Sequence, residues 1–162
     1  MFNDGMKLKG HVIAELYGPD GTLKQREEMH NLVTDVGDIY LAQCPYGTPW
    51  ATNGLKLDSA STAAAKNGAG SFVAAGTYIS GSAHAPTLAV GASANILKLT
   101  HTWAAGEATG TIRRMGWVDN TTDAGEANAA KTAAMTVFAA DIAKGAADTL
   151  AITWNISFLG AP

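Results

Sequence analysis

At 162 residues the chain fits one domain built around a single core and leaves little room for a two-domain enzyme. It contains 31 Ala, 18 Gly and 17 Thr, while charged residues reach only 15%, well below the usual share of about 25%. Net charge is −3 and the eleven Lys and Arg are scattered, which argues against a phosphate-tracking surface, so no nucleic-acid partner is expected.

One cysteine, Cys44, cannot form an intrachain disulfide, and four dispersed histidines lack metal-ligand spacing. No metal and no cofactor are expected. Met1–Gly5 carries an acid and no apolar core, so no secretory signal is expected; no apolar run is long enough for a membrane span, so no membrane partner is expected either.

Residues 1–6 read as a flexible arm. Lys7 to Tyr17 alternates, with Leu8, Val12 and Leu16 on one side, and predicts a half-buried strand. Gly18-Pro19-Asp20-Gly21 is a turn, with Pro where φ is preset and Gly where positive φ is tolerated. The returning arm, Thr22 to Glu28, is polar enough for an edge strand that resists unwanted pairing. Thr34 can cap a short helix near residues 35–43, with Val36, Ile39 and Tyr40 at helical spacing, ended by Cys44-Pro45.

Residues 45–70 show no sustained period and read as a long irregular loop. Ser71 to Ser80 is a possible strand, and Gly81 to Ala94 a small-residue connection containing Pro86. Asn95 to Ala104 alternates again, placing Leu97, Leu99, His101 and Trp103 on one face. After a turn at Gly106-Glu107-Ala108, Thr109 to Val118 sets Ile112, Arg114, Gly116 and Val118 against Thr111, Arg113, Met115 and Trp117. Asn120 to Gly125 is a polar loop, and Ala130 to Phe138 favours strand over helix. The clearest segment is last: Leu150, Ile152, Trp154, Ile156 and Phe158 alternate without a break and predict a central core strand. The fold expected is mainly β, an antiparallel sandwich of jelly-roll or Greek-key type with one short helix.

Catalytic constellations are weak. There is no Gly-x-Ser-x-Gly elbow, Cys44 reads as a helix-end thiol, and Gly68-Ala69-Gly70-Ser71 lacks the Lys-Ser/Thr ending of a phosphate loop. The carboxylates between Asp119 and Glu126 lack EF-hand spacing and read as a solvated loop. Glu27 and Glu28, adjacent on a strand, face opposite sides and cannot act as a glycosidase pair. No enzyme is expected. Arg113 and Arg114 fall on opposite faces of their strand, where each makes either a salt bridge inside the subunit or a contact to a neighbouring chain. Trp103 and Trp154 sit on apolar faces and read as core, whereas Trp50, in the irregular stretch, is a candidate anchor for a partner's pocket.

Several phrases resemble the tailed-bacteriophage virion structural proteins: the strand and turn of Leu8 to Gly21, His30-Asn31-Leu32-Val33-Thr34-Asp35-Val36-Gly37, Trp103 to Asp119, Thr136-Val137-Phe138, and Lys144 to Phe158. The resemblance covers roughly residues 7–42 and 95–159 and departs over Pro45–Ala94 and at Arg114 and Met115. It implies a non-enzymatic shell or tail component. The specific expectation is a head decoration (cement) protein on the virion capsid surface, a trimer that binds the major capsid protein and is made in the bacterial host cytoplasm. The partner-binding residues expected are Phe2, Asn3, Lys7, Trp50, Arg113 and Arg114. A tail, collar or baseplate component is the second expectation. A carbohydrate-binding module using Trp50 and Trp117 as stacking platforms is a distant third.

Overall fold

The computed structural model describes residues 7–43, 54–63, 65–66, 79, 82–91, 93, 95–118 and 132–159. The chain is mainly β, with nine strands in two antiparallel sheets and one short helix among these residues. In chain order the elements are β1 Lys7–Tyr17, β2 Leu23–His30, β3 Leu32–Val33, α1 Asp35–Gln43, β4 Gly54–Asp58, β5 Thr87–Val90, β6 Ile96–Trp103, β7 Gly110–Val118, β8 Thr132–Lys144 and β9 Thr149–Leu159. The first sheet runs β2-β1-β9-β6-β5 and the second β3-β8-β7-β4.

The two-residue period of the last strand fixes the first sheet. Leu8, Gly10, Val12, Ala14 and Leu16 of β1 stand opposite Phe158, Ile156, Trp154, Ile152 and Leu150 of β9, and on its other side Leu97, Leu99 and Trp103 of β6 face Ile156, Trp154 and Leu150. Directly opposed side chains share a face. These residues therefore form one apolar wall, and it joins Leu55, Leu57, Ile112, Met115, Trp117, Phe138 and Ile142 of the second sheet in a single core.

Leaving out β2, the strands nest as four antiparallel pairs, β1 with β9, β3 with β8, β4 with β7 and β5 with β6, the nesting of a jelly roll. A jelly roll alternates successive pairs between sheets. Here the outermost and innermost pairs share one sheet, and the two middle pairs share the other.

The β1–β2 turn closes as its residues dictate, with Gly21 at φ +79° and its N–H donating to the Gly18 carbonyl at 2.9 Å. Thr34 caps α1: its Oγ1 accepts the Gly37 N–H at 3.2 Å and its carbonyl the Asp38 N–H at 3.1 Å. Asp35 and Asp38 in the first turn suit the helix dipole. Gly37 is what lets the helix dock, because a Cβ there would lie 2.3 Å from the Ala133 carbonyl oxygen of β8. Ile39, expected on the packed face, is instead 54% exposed; Val36 is half-buried.

Three further expectations are corrected. The stretch read as irregular contains β4, whose Gly-Leu-Lys-Leu-Asp breaks the apolar pattern with two charges; yet all five residues are buried, Asp58 in an ion pair with the buried Arg114. The small-residue connection contains β5. Alternation along β7 also breaks: Ile112 pairs with Ile142 but Arg114 with Val137, and this shift in register lets Ile112 share the core with Met115 and Trp117, residues of opposite parity. Apart from Ile79, the possible strand at Ser71–Ser80 and the polar loop at Asn120–Gly125 lie outside the described residues.

Candidate interaction surface

A sheet edge exposes unpaired backbone groups and must be guarded or used. Among the described residues the sheets have four edges, and three of them are guarded. On β2 the guard is charge: Lys24, Arg26, Glu27 and Glu28, with Arg26 paired to Glu15 at 3.2 Å and also to Glu28. β3 is only two residues long and runs into α1. β4 is covered by chain: Leu55 and His84 exchange backbone hydrogen bonds at 2.7 and 3.1 Å, the Ile79 N–H donates to the Leu57 carbonyl at 3.2 Å, and the Leu57 N–H donates to Ser82 Oγ at 3.1 Å. The Trp103 indole N–H anchors this cover from the first sheet, donating to the Ser82 carbonyl at 3.0 Å.

The fourth edge, β5, has none of these guards among the described residues. Its Thr-Leu-Ala-Val carries no charge, and all four residues are exposed. Leu88 stands opposite Leu99 and Val90 opposite Leu97, so both lie on the core side of the sheet. Leu99 is fully buried, whereas Leu88 is 59% and Val90 72% exposed. The apolar wall thus continues one strand past the cover of the second sheet. Beside it lies a groove of about 340 Å³ lined by Leu88, Ala89, Val90, Ile96, Leu97 and Phe158. Chemically this edge can accept an extended segment by backbone pairing and seat apolar side chains in the groove.

Of the residues expected to bind a partner, none of those described lines this groove. Phe2, Asn3 and Trp50 lie outside the described residues, and Lys7 opens β1, its backbone paired with Leu159. Both arginines have partners inside the chain. Arg113 Nε and Nη2 hold the Asp141 carboxylate at 2.9 and 2.8 Å while Nη1 donates to the Ser59 carbonyl at 2.9 Å; the guanidinium keeps Asp141 below the usual carboxylate range. Arg114, 2% exposed, donates to Asp58 and, at 3.3 Å, to the Thr62 carbonyl. Trp117 is 5% exposed and belongs to the core, so it offers no stacking platform.

Sequence reasoning missed β5 because Leu88 and Val90 sit in a run of Ala, Ser, Thr and Gly that dilutes their alternation. The signal present was the bracket: Pro86 before, Gly91 after, and β-branched or aliphatic residues at every second position between. Among the described residues no group of three metal-binding side chains occurs, and no helix is long and apolar enough to cross a membrane. Comparison of the chain with protein-family models, with curated proteins and with solved structures finds no match.

Proposed function

We propose that the chain is a bacteriophage head decoration protein, a cement that binds the major capsid protein lattice and stabilises the head as a trimer on the virion surface. The observation that carries this reading is the β5 edge, uncharged, apolar and exposed in a molecule whose other edges are shielded. The resemblance over residues 7–42 and 95–159 supports the class of particle. The occupant of the edge is a strand of the capsid protein, added to the β2-β1-β9-β6-β5 sheet by backbone pairing, with apolar side chains in the groove beside Val90 and Phe158. Each contact is weak, and repetition over the lattice supplies the strength. A low content of charge suits the role, since few ionic groups must be desolvated on docking.

The test is attachment. Lys placed at Leu88 and Val90 keeps the monomer folded, because both positions are solvent-exposed, and abolishes co-sedimentation with purified heads lacking the protein; undiminished occupancy by the folded double variant contradicts the reading. A tail, collar or baseplate component is the second reading, favoured by the same resemblance. Copy number separates the two: hundreds per particle mean cement, and three, six or twelve mean tail.

A further inference from the structure

Beside β5, at the seam between the sheets, two histidine rings lie one on the other. His101 of β6 and His84, in the segment that covers the β4 edge, have ring centroids 4.4 Å apart and planes 19° from parallel. Trp103 meets His101 edge-on at 4.7 Å. The stack joins the two sheets, because the backbone of His84 is bonded in both directions to Leu55 of β4 while His101 belongs to the first sheet.

The charges around the pair are lopsided. Glu107, in the β6–β7 turn, places Oε1 3.9 Å from His84 Nε2. On the far side of Glu107, Lys144 of β8 donates from Nζ to the Ala104 carbonyl at 2.9 Å, with the Asp148 carboxylate also acting on it. Ile152 of β9 stands opposite His101, and Leu55 of β4 is paired with His84, with Lys56 of the same strand also buried. Glu107 thus lies against His84 and acts on His101 only as the smallest of three influences, while the His101 Nε2 is buried without a hydrogen-bond partner among the described residues.

We propose that the His84–His101 stack is a pH-operated latch between the two sheets, closed while the His101 ring is neutral and released by its protonation, freeing the 82–86 segment and the β5 strand that follows it. The neutral His101 ring stacks on its neighbour, whereas a charged one in this partly desolvated seam loses hydration and finds no hydrogen-bond acceptor for Nε2 among the described residues. Burial, helped by His84 and partly opposed by Glu107, lowers His101 from 6.5 to about 4. Closed, the ring takes its proton only near the lower value; open, it takes it near the upper one. The latch is thus fully stable above pH 6.5 and weakens as pH falls from there towards 4. This holds whatever β5 binds.

The experiment is amide hydrogen exchange on the full chain at pH 7.5 and 5.0, corrected for intrinsic exchange, with Val12 of β1 as internal reference. Linkage across this window predicts that protection of the Leu55, Leu57 and His84 amides falls roughly thirtyfold on acidification, and by less than about twofold in His101→Phe, whose ring stacks but does not titrate. Unchanged protection in the wild type, or an equal loss in the variant, overturns the latch. Should His101→Phe fail to fold, the imidazole resonances of the wild type decide. Absence of titration of His101 above pH 5 supports the latch, and a midpoint near the ordinary value contradicts it.

Discussion

Arg113 and Arg114 are neighbours in sequence and opposites in energetics. Arg114 and Asp58 are both sealed from solvent, with 2% and 0% of their side chains exposed, so removing either leaves an uncompensated buried charge. Arg114→Met or Asp58→Asn is expected to cost about 3–5 kcal/mol in urea unfolding, whereas Arg114→Met combined with Asp58→Leu recovers much of that loss. Arg113 and Asp141 are bidentate but 39% and 53% exposed, and Arg113→Gln is expected to leave the urea midpoint nearly unchanged. Glycines separate in the same way. Gly10 leaves room for Asn31, whose Oδ1 accepts the Trp154 indole N–H at 3.2 Å and would lie 1.4 Å from any Cβ at position 10. Gly21 meets nothing within 4 Å, but its φ of +79° still disfavours a side chain, by about 1–2 kcal/mol for Gly21→Ala.

At the scale of elements, legibility followed amphipathicity. The bounds of β1 and α1 and the central position of β9 could be read directly, because their apolar residues recur at the right period and because Gly18-Pro19-Asp20-Gly21 and Thr34 punctuate them. β4 was illegible because its alternate positions carry Lys56 and Asp58, which mimic a surface loop until the fold brings Arg114, on a different strand, against Asp58. β5 was illegible for the opposite reason: with no charges and small neighbours it resembles a linker, and only its pairing with β6 shows it as a strand. The candidate site was therefore the least readable part, being defined by which edge remains uncovered once all others are closed. Trp154→Ala on β9 is expected to cost about 3–5 kcal/mol. Leu88→Lys and Val90→Lys are expected to change stability by no more than about 0.5 kcal/mol each, measured by chemical unfolding.

For the molecule as a whole, acid acts on both the ion pairs and the seam. The Lys24 ammonium, bonded to Asp148 at 2.8 Å, and the Gly145 N–H hold the Asp148 carboxyl below its ordinary 3.8, as Arg113 does for Asp141. A carboxyl depressed in the folded state contributes stability that is fully present above its ordinary value and is lost as pH falls through the lower folded value. His101 loses its contribution earlier, from pH 6.5 down towards 4. Thermal stability is thus expected to decline in two stages, a first between pH 6.5 and 4 that His101→Phe removes, and a second at lower pH that Asp148→Asn and Asp141→Asn reduce. Among the described residues the apolar wall lies exposed at β5, the edge proposed to dock on the capsid protein. Cryo-electron microscopy of the purified virion tests that directly. The account predicts density for this chain on the shell, with Leu88 and Val90 of β5 buried against a strand of the capsid protein; a chain absent from the particle, or present with β5 facing solvent, contradicts it.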